Sequence, residues 1–268
     1  MIAFPNCKIN LGLNIVSKRS DGYHNIETCF YPIPWCEPLE VTIANSFEFT
    51  SSGTPIPGGS KDNLVVRVYE LLKADFELPP IKIHLMKCLP MGAGLGGGSA
   101  DGAFMLKLLN EKFELGLKDD QLESYALQLG SDCPFFIRNR PMIAKGRGNE
   151  FEEIGLSLAN KHLVLVHPGI HVSTKDAYAG VNPKQPQHDL REILSKVDPN
   201  DWQKFLVNDF EKSVFKLYPE IERIKIQLLE AGAMYASMSG SGSAVYGVFK
   251  SKVESSFPKN YLVKRLSL

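Results

Sequence analysis

The chain has 268 residues, 44% of them hydrophobic and 22% charged, and its 30 Lys plus Arg balance its 30 Asp plus Glu. The length leaves room for one large domain or two modest ones, each with a core, and the composition is that of an ordinary globular protein. A formal charge of zero excludes a global electrostatic pull toward nucleic acid or an anionic membrane, so binding of a charged ligand has to be local.

In chain order, Cys7 to Ile15 alternates cleanly between apolar and polar residues. The spacing predicts a half-buried strand with Lys8 and Asn10 side by side on its polar face. Lys8, Asn10 and Asn14 also interrupt any apolar leader, and no apolar run approaches the ~20 residues of a membrane span. Residues 17–23 read as a turn. Val41 to Phe49 is predicted as a strand running into a Ser, Gly and Pro loop over 51–59. Asn63 to Ala74 reads as a helix. Ile81, Ile83 and Leu85 alternate in a strand that leads to a glycine-rich segment.

From Ser99 onward, Phe104 with Leu108 and Met105 with Leu109 keep helical spacing, with Ser99 as cap or first-turn residue. Asp120 with Glu123 opens a further helix, and Leu122, Tyr125, Ala126 and Leu129 form its apolar stripe. Gly130 stands as its stop. Pro134 blocks continued helix through Cys133, so Asp132 is predicted on a turn. Leu163 to Val166 reads as a buried strand, and 182–189 as a loop. Pro219 opens a helix with Ile221, Ile224 and Leu228 inward and Gly232 at its end. A second Gly/Ser-rich segment, Ser237 to Ser243, precedes a strand over Ala244 to Phe249. Strands and helices mix without βαβ alternation, which predicts an α+β fold. A division near residue 150 gives parts 1–150 and 151–268. Five cysteines without a CxxC pair predict a reducing, cytoplasmic setting.

Five glycines fall in the seven positions from Gly92 to Gly98. Strand, glycine-rich turn and helix start together aim backbone N–H groups and a helix dipole at one point, which suits phosphate. Gly92, Gly94 and Gly97 satisfy GxGxxG, the pattern of a dinucleotide-binding oxidoreductase, but a lone match is weak. Glu114, the nearest acid at the right distance, belongs to the next helix and its exit rather than to a second parallel strand. No Lys follows Gly98 as a Walker A loop requires, and the protein-kinase motifs are missing. None of His84, His162, His167, His171 and His188 has metal-ligand spacing.

The full string Pro90-Met91-Gly92-Ala93-Gly94-Leu95-Gly96-Gly97-Gly98-Ser99-Ala100 resembles the ATP loop of the GHMP small-molecule kinases. Cys7 to Leu13 looks like that superfamily's first motif and Met238 to Ser243 like its third. Asp21-Gly22-Tyr23-His24, Asp62 to Val65, Gly130 to Phe135 and Asn208-Asp209-Phe210-Glu211 resemble the branch whose acceptor is a cytidine-diphosphate-linked tetrol, in the non-mevalonate route to isoprenoid precursors. The matches cover nearly the whole chain in order.

The resemblance implies a two-lobed fold, an ATP-binding lobe and a substrate or C-terminal lobe, with the active site between them. It implies ATP and Mg²⁺ as cofactors and a cytidine-diphosphate-linked small molecule as substrate, with no nucleic acid or membrane partner. Asp132 is implied as catalytic base and Lys8 as its partner. Residues Pro90 to Ala100 are implied as the triphosphate cradle, with Ser99 within reach of a phosphate or Mg²⁺ and Asn63 on the adenine side. Asn10, Tyr23, His24, Lys145 and Tyr178 are implied for the substrate, Tyr23 or Tyr178 stacking on the cytosine and His24 reading its edge. Cys133 departs from the small or β-branched residue expected there and reads as packing beside Asp132. Another member of the superfamily, of homoserine or mevalonate type, is the alternative.

Overall fold

The computed structural model describes residues 1–268. In chain order its elements are β1 (Ile2–Ala3), β2 (Asn6–Lys18), β3 (His24–Cys36), β4 (Leu39–Ile43), β5 (Glu48–Gly53), α1 (Leu64–Asp75), β6 (Ile81–Lys87), α2 (Gly97–Lys112), α3 (Asp119–Leu127) and α4 (Phe135–Arg138). They continue as β7 (Met142–Lys145), β8 (Glu150–Glu153), β9 (His162–His167), α5 (Thr174–Ala179), α6 (Leu190–Lys196), α7 (Glu211–Leu217), α8 (Pro219–Glu230), β10 (Tyr235–Met238), β11 (Val245–Phe249) and β12 (Leu262–Ser267). No helix is long and apolar enough to cross a membrane.

The chain folds as two compact units, each drawn from several stretches of sequence. The first comprises Met1–Cys7, Trp35–Met91 and Gly96–Arg140. Its sheet has the order β1-β4-β6-β5, with β5 parallel to β6 and the other pairs antiparallel. The one strand expected over 41–49 is two: β4 stops at Ile43, and β5 starts at Glu48 on the other side of β6. Asn45 and Ser46, both turn formers, carry the bend between them. Helix α1 starts where expected, with the Asn63 side chain accepting from the Val65 N–H at 3.1 Å as its cap. It buries Val65, Val68, Tyr69 and Leu72 and packs along α2.

The second unit comprises Lys8–Pro34, Gly92–Leu95 and Pro141–Leu268. One of its sheets has the order β2-β3-β7-β8 and the other the all-antiparallel order β10-β11-β9-β12. Strand β3 carries no strand signature in the sequence because Pro32 and Pro34 interrupt it. Both prolines lie beyond its pairing with β7, which covers Thr28 to Phe30 only. Helix α8 lays Ile221, Ile224 and Leu228 into a core shared with Leu13, Ile15, Val166, Val214 and Phe249. Strand β2 has the expected alternation but not the expected burial. It is covered on both faces, and Lys8 and Asn10 are 3% and 2% exposed. Buried polar groups need partners, and those partners build the candidate site.

Candidate active site

In the second unit, Lys8 Nζ donates to Asn10 Oδ1 at 2.6 Å and to the Gly94 carbonyl at 3.0 Å, and it stands 4.8 Å from the Phe30 ring centroid. Asn10 Nδ2 donates in turn to Thr28 Oγ1 at 3.0 Å. The middle of the glycine-rich loop is anchored through three successive carbonyls. Ala93 accepts from the Ala244 N–H at 3.2 Å, Gly94 from Ser239 Oγ at 2.8 Å as well as from Lys8, and Leu95 from the Lys8 N–H at 3.0 Å. Ala93 and Leu95 are each 1% exposed and pin the loop from below. A Cβ on Gly94 would lie 1.9 Å from the Ser239 carbonyl oxygen, and its φ of +78° is itself open chiefly to glycine.

In the first unit, the exit of the same loop is Gly96, in the left-handed conformation at φ 70°, which serves as N-cap of α2. Ser99 is the third residue of that 16-residue helix, so its hydroxyl and the first helical amides share one end of the dipole. The entry of the loop is braced by a buried triad. Lys87 Nζ donates to Glu37 and to Asp101 Oδ2 (2.7 Å), and Glu37 Oε2 accepts the N–H groups of Cys88 (2.9 Å) and Leu89 (3.1 Å). Burial pushes the Asp101 carboxyl well above the usual carboxylate range although Lys87 pulls the other way. Asn63, Lys87, Met91, Gly98 and Asp101 line a cavity of about 170 Å³. Asn63 therefore both caps α1 and faces this space.

Asp132 lies on the turn between α3 and α4, as the sequence predicts, with Ser131 Oγ donating to its Oδ1 at 3.4 Å. Its neighbour Cys133 is fully buried, and burial pushes the thiol up to about 12 against the pull of a hydrogen bond with the Ser99 side chain. A thiol held this way is inert, so Cys133 is packing rather than nucleophile.

The remaining expected residues stand on the second unit. Tyr23 is 54% exposed, and the Arg147 guanidinium lies 3.7 Å from its ring centroid. His24 stacks on Tyr178, centroids 4.6 Å apart and planes 21° from parallel. Burial and the Lys18 charge both hold the His24 pKa below its ordinary value, so the ring is neutral at pH 7. Lys145 is committed to an ion pair with Glu152 at 2.8 Å, and Glu152 also binds Arg191 at 3.0 Å. The Glu152 hydrogen bond raises the Lys145 pKa and keeps it charged.

Sequence reasoning missed Glu37 and Lys87, and it gave Asn208 and Ser239 only as members of motifs, with no contact assigned to either. One signal was present. Lys87 continues the inward series Ile81, Ile83, Leu85, and a lysine at an inward position requires a buried acid. The dinucleotide-binding reading fails on topology. The sheet that contains β6 is completed by β1, β4 and β5, all earlier in the chain, so no strand after α2 returns to it as a parallel neighbour.

The sequence pattern of the GHMP kinases N terminal domain matches residues 63–140, and that of the GHMP kinases C terminal region matches 188–264. A 4-diphosphocytidyl-2-C-methyl-D-erythritol kinase of Bacteroides fragilis is 56% identical over 253 residues, covering 93% of this chain and 92% of the relative. A crystal structure of a 4-(cytidine 5'-diphospho)-2C-methyl-D-erythritol kinase superposes with a TM-score of 0.77 at 31% identity, over 92% of this chain and 90% of that one. The mevalonate kinase of Methanococcus jannaschii shares the fold, with a TM-score of 0.67 at 15% identity over 93% of this chain and 90% of its own. The chain belongs to the 4-diphosphocytidyl-2-C-methyl-D-erythritol kinase family of the GHMP kinases.

Proposed function

We propose that the chain transfers the γ-phosphoryl group of ATP to the 2-hydroxyl group of 4-diphosphocytidyl-2-C-methyl-D-erythritol, in a reducing, cytoplasmic setting. The observation that carries this reading is the anchoring of Ala93, Gly94 and Leu95 by their carbonyls, with Lys8 on the Gly94 oxygen. A loop held by its carbonyls and ending in a helix N-terminus leaves its amide side to an anion.

The glycine φ values at 92, 94 and 96, +64°, +78° and +70°, and the open space above Gly98 fit a polyphosphate against the main chain. The amides from Gly92 to Ser99 cradle the triphosphate, and the cavity at Asn63 takes its adenine end. Tyr23 offers a face for the cytosine, and neutral His24, held by Tyr178, presents both a donor and an acceptor to its edge. Lys8 neutralises charge on the transferring oxygens. Asp132 orients the acceptor hydroxyl and takes its proton late, as a weak base in a loose transition state can. The Ser99 hydroxyl, in the first turn of α2 beside the loop, would be the protein oxygen offered to Mg²⁺, which would supply charge neutralisation at the phosphates.

The test is ADP release measured in parallel with the cytidyl tetrol, homoserine and mevalonate. Turnover is expected with the cytidyl compound alone. Turnover with only homoserine or mevalonate overturns the substrate assignment.

A further inference from the structure

The segment Asn208-Asp209-Phe210-Glu211 has no part in the chemistry above, yet each of its three polar side chains is hydrogen-bonded. Leu13 of β2 bridges Asn208 in parallel: the Leu13 N–H donates to the Val207 carbonyl at 2.7 Å, and the Asp209 N–H donates to the Leu13 carbonyl at 2.9 Å. Asp209 Oδ2 accepts the Ile15 N–H at 2.7 Å. Glu211 Oε1 accepts Ser237 Oγ at 3.0 Å and the Met238 N–H at 2.9 Å, while Lys225 pairs with its other oxygen at 2.5 Å.

Asn208 does something more specific. Its Nδ2 donates one hydrogen to the Met238 carbonyl and one to the Gly240 carbonyl, both at 2.8 Å, and its Oδ1 accepts the Phe210 N–H at 3.0 Å. An NH₂ group has two hydrogens, and here they hold the carbonyls on either side of Ser239. That residue is fully buried, and its hydroxyl donates to the Gly94 carbonyl, the same oxygen that Lys8 Nζ uses. Asn208 is 4% exposed, so water does not substitute for it readily.

We infer that Asn208 is a positioning residue for phosphoryl transfer: by clamping Met238 and Gly240 it sets Ser239, and through the shared Gly94 carbonyl it sets the phosphate loop and the Lys8 ammonium. This inference rests on the kinase reading above. A group that acts only through others in this way changes the geometry at the transferring phosphoryl, not the contacts that bind either substrate's far end. The role therefore predicts a split in the kinetics. A merely structural side chain would lower stability and leave kcat of the folded fraction intact.

The experiment measures kcat, both KM values and Tm for Asn208→Ala, the near-isosteric Asn208→Asp, Ser239→Ala and the Asn208→Ala/Ser239→Ala double variant. Asn208→Asp places a carboxylate against two carbonyls while keeping the side-chain volume, so it separates geometry from lost packing. Each single variant is expected to lose roughly ten- to hundredfold in kcat, with KM for the cytidyl substrate unchanged within about twofold. The double variant is expected to be no worse than about the poorer single one, because both act along one chain of bonds. Unchanged kcat in folded Asn208→Asp and Ser239→Ala overturns the inference, as does a double variant whose losses multiply. If Asn208→Ala does not fold, the other two single variants decide. Wild-type protein inactive on the cytidyl substrate would instead sink the kinase reading.

Discussion

The Lys8 end and the Tyr23 end of the second unit are built on opposite plans. At the first, Lys8, Asn10, Thr28, Asn208 and Ser239 are 3%, 2%, 0%, 4% and 0% exposed. Lys8, Asn10, Asn208 and Ser239 all bond inside one network. At the second, Tyr23 is 54% exposed under the Arg147 guanidinium, and His24 leans on Tyr178. Fixed dipoles in a buried site cost little to reorganise when charge shifts, which serves the chemical step. An exposed ring such as Tyr23, beside a half-buried stacked pair, is placed to give affinity and to tolerate adjustment. On the proposed function, damage at the first end is expected to be read in rate, and damage at the second in substrate binding.

The largest expected effect tests the rate side. Lys8→Met and Asp132→Asn should each lower kcat by about 10²–10⁴-fold. Binding of a non-hydrolysable ATP analogue, followed by calorimetry, should stay near wild type for Asp132→Asn. Substantial turnover by either variant removes that residue from the chemistry. Next comes the binding side. Tyr23→Ala should raise KM for the cytidyl substrate by about ten- to hundredfold, the worth of one base–aromatic stack at ~1–3 kcal/mol, while kcat and KM for ATP hold. Equal rises in both KM values would take Tyr23 out of the cytidyl pocket.

The smallest effect concerns His24. Its folded pKa is lowered, so the unfolded chain takes up its proton first as pH falls below the ordinary value of 6.5. The stability from neutral His24 is fully present above pH 6.5 and is lost as pH drops toward the lowered value. Its ring is accessible and screened, so the Tm difference between wild type and His24→Gln should be modest, and it should narrow from pH 7.5 to 5.5. Parallel Tm curves for the two proteins would show that the stacked ring carries no such linkage.

What the sequence made legible was whatever short-range spacing controls. The β2 alternation, the Asn63 cap of α1, the glycine-rich loop and the inward stripe of α8 are all written within a few turns of chain. The polar face of β2 was legible as a face, but its burial was not, because burial depends on Ser239 and Gly94, far along the chain. The same holds for Lys87, whose acid Glu37 lies 50 residues earlier. The bend at Asn45 and Ser46 could be read as a turn, yet the jump of β5 across β6 is a matter of topology. Arg147 on Tyr23 likewise carries no local signature.

The Gly94 carbonyl has a consequence for how the protein comes into being. Its two side-chain donors arrive from 86 residues before it and 145 residues after it. Closing loops of such length is slow and entropically costly, so contacts of this kind form late in folding. A nascent chain therefore holds its two glycine-rich segments against each other only once Ser239 has left the ribosome, well after the Gly94 loop itself has emerged.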